Sequence, residues 1–178
     1  NGANTAGGYR PQPTSYDYDA PLGEWGNCYP KYYAFREVIQ KHLPHGTVLP
    51  EVPADNPTTT FATIELKESA SLQAAFHQTT ESENVLSMED LGVDFGYIHY
   101  QTTINKAGKQ KLIIQDLRDY AVILVDGKQV ASLDRRYNQN NVMLDIQKAP
   151  ATLEILVENA GRVNYGPDIL FNRKGITN

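Results

Sequence analysis

Two tyrosines alternate with two aspartates in a segment bracketed by prolines, residues 12–22, whose sequence is QPTSYDYDAPL. The four residues are Tyr16, Asp17, Tyr18 and Asp19. Proline fixes φ and restricts the residue before it, so this segment is predicted to be a stiff, extended loop. A tyrosine ring stacks on the C–H face of a sugar, while phenol and carboxylate groups hydrogen-bond its hydroxyls. The pattern supports two hypotheses: a loop that recognises a polyol, or a structural loop whose polar groups satisfy one another and nearby backbone amides.

A loop and a helix are the elements predicted to position these side chains. Residues 1–29 show neither helical nor strand periodicity, and ordered loops of this length are usually functional. The helix begins at Pro30, which suits a first turn, and Pro44 and Gly46 end it. Its apolar stripe, which we interpret as packing surface rather than a ligand site, consists of Tyr32, Phe35, Val38, Ile39 and His42 or Leu43.

The pattern after the helix changes from a proline-rich linker to an all-β region. Four prolines in residues 44–60 indicate a stiff connector that contains a domain boundary. Candidate strands follow at 61–66, 72–77, 95–104, 109–116, 120–125, 128–133, 142–146 and 152–158. Asp126-Gly127 predicts a type I′ hairpin turn, and the apolar residues of 152–158 alternate toward one face. About eight short strands in roughly 115 residues fit an antiparallel jelly-roll sandwich.

Composition and charge exclude several kinds of partner and site. The net charge is −5, with no basic run and no basic amphipathic helix, so nucleic acid and anionic membranes are poor partners. The longest apolar stretch, residues 121–125, is too short to span a bilayer. Cys28 is the single cysteine, which excludes an internal disulfide and a cysteine-based metal site. The chain starts at Asn1 with no methionine or signal peptide, which predicts a piece of a longer polypeptide.

Four strings occur along the chain in the order in which one known family carries them. They are NGAN (1–4) with QPTSYDYDAPL (12–22) and PKYYAFR (30–36), GYIHYQTT (96–103), DYAV (119–122), and LVEN (156–159) with GRVNYG (161–166). In this order they resemble the β-galactosidases of glycoside hydrolase family 35. The resemblance implies that residues 1–43 are the last loop and helix of a (β/α)₈ barrel and that 44–60 are a linker. Residues 61–178 would be all or part of a mainly β, galactose-binding-like jelly-roll sandwich.

The same resemblance implies an activity for the parent protein. Family members hydrolyse terminal non-reducing β-D-galactose residues with retention, through a galactosyl-enzyme intermediate, without a metal or other cofactor. Their two catalytic residues are glutamates on earlier barrel strands. This chain is therefore expected to contain no catalytic residue and to be inactive by itself.

The aspartates of the Tyr–Asp loop do not fit a catalytic or metal-binding role. A retaining glycosidase needs two carboxyl groups about 5 Å apart. Asp17 and Asp19 would lie about 6–7 Å apart on one side of an extended chain, beside hydroxyl groups that keep them ionised. They match a bare DxD metal motif, but no histidine or further carboxylate clusters with them. Pro44 likewise breaks the helix that would align His42 and His45, so no metal site is predicted.

The resemblance assigns roles to individual residues. Tyr18 is expected to reach the galactose subsite and to hydrogen-bond the sugar or its neighbouring carboxylate, and Tyr16 is expected to support the loop. Trp25 departs from the small residue usual in the family and either extends a sugar platform or seals a domain contact, of which we favour the contact. The loop 161–166 offers a guanidinium, an amide and a phenol, but it is expected to brace the β domain rather than to bind ligand.

The partners implied are a galactoside or galactose-containing glycan and the remainder of the parent polypeptide. The family also implies an extracytoplasmic location: secreted, periplasmic or lysosomal. The alternative hypothesis is a stand-alone, non-catalytic carbohydrate-binding or structural β-sandwich module. The coding sequence upstream of Asn1 discriminates between them, because an enzyme requires a barrel with two glutamates at its strand ends and a module requires a nearby start codon.

Overall fold

The computed structural model describes residues 3–4, 10–12, 14, 17–76 and 79–178. The chain falls into two compact units: the smaller is Ser15–Thr79, and the larger joins Asn1–Thr14 to Thr80–Asn178. The domain boundaries expected from the sequence, at residues 43/44 and 60/61, remain predictions.

The larger unit is mainly β, and its long strands pair in antiparallel fashion. The strands are β1 (Ala3–Asn4), β2 (Pro11–Gln12), β3 (Tyr97–Ile104), β4 (Gly108–Ile113), β5 (Leu117–Arg118), β6 (Tyr120–Val125), β7 (Lys128–Asp134), β8 (Asn141–Ile146), β9 (Ala151–Glu158), β10 (Arg162–Val163) and β11 (Gly175–Ile176). The main sheet has the order β3-β9-β6-β7, and β4 pairs with β8 in a second sheet. The short strands form small sheets in the orders β10-β1-β2 and β11-β5, in which β1 and β10 are parallel.

One apolar core joins the two larger sheets. Alternate residues of β9 are buried, namely Ala151, Leu153, Ile155 and Val157. Successive side chains of a strand point to opposite faces, so this alternation gives β9 one apolar face. Leu144 and Ile146 of β8 belong to the same buried cluster, which therefore has walls from both sheets. The predicted mainly β, antiparallel sandwich is confirmed.

The predicted hairpin turn connects β6 to β7. Asp126 and Gly127 both have positive φ, +49° and +74°, as a type I′ turn requires. The turn is also tied to the start of β9: Asp126 donates its N–H to the Thr152 carbonyl at 2.9 Å and accepts from the Thr152 N–H at 2.8 Å.

Two predicted strands are wrong. Residues 61–71 have no regular secondary structure, and Leu72–Ala75 form a 3-10 helix where a strand was expected at 72–77. Apolar alternation produces a strand only when a neighbouring strand supplies hydrogen-bond partners and a surface to pack on. Within the described part of the chain, no strand does this for 61–66. The other six predicted strands are found, with shifted ends, as β3, β4, β6, β7, β8 and β9.

The smaller unit contains the predicted helix, α1 (Pro30–His42). The proline stands in the first turn, where a missing N–H costs no hydrogen bond. Arg36 and Gln40 bind main-chain carbonyls of residues 47–50, so the linker turns back along the helix. The stripe expected to be packing surface is half-exposed at its centre, at Phe35, Val38 and Ile39.

Replacing Ile155 with Ala is expected to lower the free energy of unfolding by about 2–5 kcal/mol, because burial is lost and a cavity remains. Ile155 is buried in the main sheet between Tyr100 of β3 and Ile123 of β6. Val130→Ala, at a half-exposed position of β7, is the control and should change the same quantity by less than about 1 kcal/mol. Denaturant unfolding measures both, and equally small losses would contradict the assigned core.

Candidate functional site

Tyr18 lies at a tight turn in the smaller unit. The N–H of Asp19 donates to the carbonyl of Asp17 at 3.0 Å, and Asp19 has a φ of +48°. Aspartate visits this left-handed region more readily than most residues because its short side chain bonds locally. The turn leaves the Tyr18 side chain 85% exposed. A ring and a phenol are thus presented at the surface of this unit.

The aspartates on either side of Tyr18 are held by residues that follow in the chain. Asp17 Oδ2 accepts a hydrogen bond from the Tyr29 hydroxyl at 2.7 Å. This bond raises the pKa of Tyr29 above its ordinary value, so the phenol stays protonated as the donor. Lys31 Nζ binds both the carboxylate of Asp19 and its carbonyl, the latter at 2.6 Å. Both aspartates anchor the turn to the start of α1, and their exclusion from catalysis stays a prediction.

The base of the Tyr–Asp loop closes as a narrow antiparallel turn. Leu22 and Cys28 form an isolated β-bridge, and the N–H of Gly23 donates to the Asn27 carbonyl at 2.9 Å. A Cβ atom at Gly23 would lie 2.0 Å from Asn27 Oδ1, well inside the contact distance of non-bonded atoms. Any larger residue at this position would therefore displace the Asn27 side chain.

Trp25 lies on the same turn and is half-exposed. Its ring meets Tyr29 edge to face, with centroids 6.4 Å apart and planes at 88°. The Trp25 carbonyl accepts from Asn56 Nδ2 at 2.6 Å, so a linker residue also holds this turn. The two roles considered for Trp25, a sugar platform and a domain contact, remain predictions.

The loop 161–166 braces the larger unit, as expected. Arg162 NH2 donates to the Asp94 carbonyl at 2.9 Å, and Arg162 NH1 donates to the Asn172 carbonyl at 3.0 Å. The same guanidinium forms an ion pair with Glu89 at 2.6 Å. One arginine thus connects β10 to the segment before β3 and to the segment before β11 through most of its donors, because a planar guanidinium offers five donors.

A buried ion pair in the larger unit was not predicted from the sequence. Lys174 is 0% exposed, and its Nζ lies 2.7 Å from Asp119 Oδ2. Asp119 also binds Arg135 NH1 at 3.1 Å and the N–H of Ala160 at 3.0 Å. Burial lowers the pKa of Lys174 to about 8, although the neighbouring carboxylate opposes this shift. Asp119 stands in the matched string 119–122, but no local pattern marks Lys174.

The remaining predictions concern Tyr16, a metal site and a membrane span. Tyr16 lies outside the described residues. Within residues 3–4, 10–12, 14, 17–76 and 79–178, no group of three potential metal ligands is found. None of the helices in that part of the chain has the length and hydropathy to cross a bilayer.

Fold and loop together define a β-sandwich protein with an attached loop-and-helix unit that presents a tyrosine between two anchored aspartates. The family model "Beta-galactosidase, first all-beta domain" matches residues 85–178, and "Glycosyl hydrolases family 35" matches residues 1–42. The chain belongs to the β-galactosidase family of glycosyl hydrolases family 35, which confirms the resemblance of the four strings.

Curated relatives match almost the whole chain. It is 40% identical to "Beta-galactosidase" of Xanthomonas manihotis, over 99% of this chain and 30% of the relative. It is 41% identical to "Beta-galactosidase" of Mus musculus, over 93% of this chain and 26% of the relative. The chain thus spans less than a third of the length of these relatives. A solved GH2 beta-galacturonidase from Eisenbergiella tayi is 27% identical over 52% of this chain and 18% of its own, with a TM-score of 0.37, too low to bear on the fold.

Proposed function

We propose that this chain is part of a retaining β-galactosidase that hydrolyses terminal non-reducing β-D-galactose residues. One observation carries the proposal: relatives named "Beta-galactosidase" align with 93–99% of the chain, through the loop and helix as well as the sandwich. Residues 1–43 close the catalytic barrel, and the two catalytic carboxylates belong to other parts of the polypeptide. The chain contributes substrate contacts and a supporting domain.

Tyr18 is the residue of this chain proposed to contact the sugar. Its side chain is exposed, while Asp17 and Asp19 are held by Tyr29 and Lys31, so the turn is fixed before a ligand arrives. A pre-formed turn binds without the entropy cost of ordering a loop. The Tyr18 phenol then bonds a galactose hydroxyl or orients a catalytic carboxylate, and Tyr16 supports the loop.

The partners proposed are a galactoside or galactose-containing glycan and the rest of the polypeptide. Support for the second comes from α1, where Phe35, Val38 and Ile39 leave an apolar stripe half-exposed at helical spacing. Contiguous apolar surface on a folded unit marks a contact with another molecule or domain. The extracytoplasmic location, whether secreted, periplasmic or lysosomal, rests on the family alone. A signal sequence at the start of the full gene product would test it.

In the longer polypeptide, Tyr18→Phe is expected to lower kcat/KM roughly 10- to 100-fold, which corresponds to about 1–3 kcal/mol. A hydrogen bond to the sugar or to a catalytic carboxylate strengthens as charge develops in the transition state. The melting temperature should change little, because the ring and its packing remain.

Tyr137→Phe is the matched control, since Tyr137 is also exposed and undergoes the same loss of one hydroxyl. Its kcat/KM should equal that of the wild type. Kinetics and thermal melting are measured on the same preparations. A lowered melting temperature with unchanged kcat/KM in Tyr18→Phe would mean that Tyr18 is a structural residue of the loop.

A further inference from the structure

Residues 62–67, with the sequence ATIELK, have the pattern of a strand but belong to none of the described sheets. Ala62, Ile64 and Leu66 alternate with Thr63, Glu65 and Lys67. Ile64 is 72% exposed and Leu66 is 92% exposed. Two large apolar side chains that alternate with polar ones, and that meet no surface, indicate an unfilled contact.

One contact within the segment fits an extended chain. Glu65 and Lys67 form an ion pair at 3.0 Å. Side chains two positions apart face the same side of an extended chain, whereas in a helix they do not face each other. In an extended segment Ile64 and Leu66 share the opposite side, which gives it one apolar face and one polar face whose charges neutralise each other.

The main-chain N–H and C=O groups of the segment can form further hydrogen bonds. Among the described residues, no main-chain hydrogen bond within or from residues 61–70 is found. A row of unpaired N–H and C=O groups in an extended chain is a template for another strand. Addition of a strand to a sheet edge uses these groups for affinity and alternate side chains for specificity.

We propose that residues 62–67 add as a β-strand to the edge of a sheet in the part of the polypeptide outside these 178 residues. This inference shares one premise with the proposed function, namely that these 178 residues are part of a longer polypeptide. The chain spans 30% or less of the relatives named above, so most of such a polypeptide is available as the partner. The partner edge carries apolar residues at alternate positions, where Ile64 and Leu66 pack, and its main chain completes the ladder.

Hydrogen–deuterium exchange of the longer polypeptide, compared with this chain alone, tests the proposal. In the longer polypeptide, alternate amides of 62–67 should exchange at least about 100-fold more slowly than in the isolated chain, because paired strand amides exchange only on opening. Slow exchange in the isolated chain would overturn the proposal in favour of pairing within these residues. Protection that appears only as the isolated chain is concentrated would overturn it in favour of a second copy.

Two substitutions of the same kind separate the faces of the proposed strand. Leu66→Asp places a charge on the apolar face and should abolish the slow exchange of 62–67 in the longer polypeptide. Thr63→Asp places the same residue on the polar face, leaves the Glu65–Lys67 ion pair in place and should leave the exchange slow. Both substitutions should leave the exchange of 62–67 fast in the isolated chain, because Leu66 and Thr63 are exposed there. Identical protection in the two variants would overturn the proposal.

Hydrolysis of a β-galactoside, measured on the same longer polypeptide, keeps the two proposals apart. An active polypeptide with fast exchange at 62–67 would overturn the strand while leaving the function. Slow exchange in a polypeptide that hydrolyses no galactoside would support the strand and overturn the function.

Discussion

Replacing Lys174 with Met is expected to lower the free energy of unfolding of this chain by about 3–5 kcal/mol, because an uncompensated buried carboxylate remains. The side chain of Asp119 is 3% exposed, and Lys174 Nζ lies 2.7 Å from its Oδ2 atom. Arg135 NH1, at 3.1 Å from the other oxygen, is partly exposed and compensates only in part. Met retains most of the volume of lysine, so the loss reports the missing N–H donor to the buried Asp119 carboxylate rather than a cavity.

The control for Lys174→Met is Lys128→Met, since Lys128 is exposed at the β6–β7 hairpin. It should change the free energy of unfolding by less than about 0.5 kcal/mol. Adding Asp119→Asn to Lys174→Met should recover part of the loss, because the unpaired charge is removed. Chemical denaturation measures the free energy of unfolding of the three variants. If Lys174→Met loses no more of it than Lys128→Met, the ion pair is not buried in solution.

The lowered pKa of Lys174 gives the same experiment a pH dependence with a definite sign. Burial lowers the pKa of Lys174 to about 8 in the folded chain, below the ordinary lysine value of 10.5. Between these pH values Lys174 holds more protons in the unfolded chain than in the folded one. The contribution of Lys174 to the free energy of unfolding therefore rises with pH. The stability difference between the wild type and Lys174→Met should therefore widen across this interval and be constant below it.

Local patterns in the sequence predicted the elements that depend on local physics. The hairpin turn depends only on the φ values that Asp126 and Gly127 adopt. The start of α1 depends only on Pro30, whose missing N–H costs no hydrogen bond in a first turn. Strand β9 carries its alternation within eight residues, which is enough to define its buried face. These features need no knowledge of which strand lies beside them.

The features missed by the sequence depend on partners that are distant in the chain. Residues 61–66 have strand composition, but a strand also needs a neighbour, and the described residues provide none. Lys174 and Asp119 are 55 positions apart, so their pairing follows from the packing of the sandwich. In the Tyr–Asp loop, the alternation indicated polar chemistry. The bond from Tyr29 to Asp17, however, depends on the closure of the turn, which the pattern does not specify.

The isolated chain is expected to hydrolyse no β-galactoside above background, whereas the longer polypeptide should exceed the uncatalysed rate by at least about 10⁶-fold. Retaining hydrolysis needs a nucleophile and an acid/base about 5 Å apart, and positioning of the substrate cannot replace either. In this chain the carboxylates nearest Tyr18 are bound to Tyr29 and Lys31. The proposed role of the chain is to complete a site whose reacting groups lie elsewhere.

The most direct measurement is therefore the initial rate of hydrolysis of a chromogenic β-galactoside by the longer polypeptide and by this chain, purified in parallel. The matched α-galactoside, which differs only in the configuration of the reacting carbon, is the substrate control. The proposal predicts turnover of the β-galactoside by the longer polypeptide alone. Turnover by the isolated chain that survives repurification and disappears in Asp17→Asn or Asp19→Asn would contradict it, and so would a longer polypeptide that leaves the β-galactoside intact.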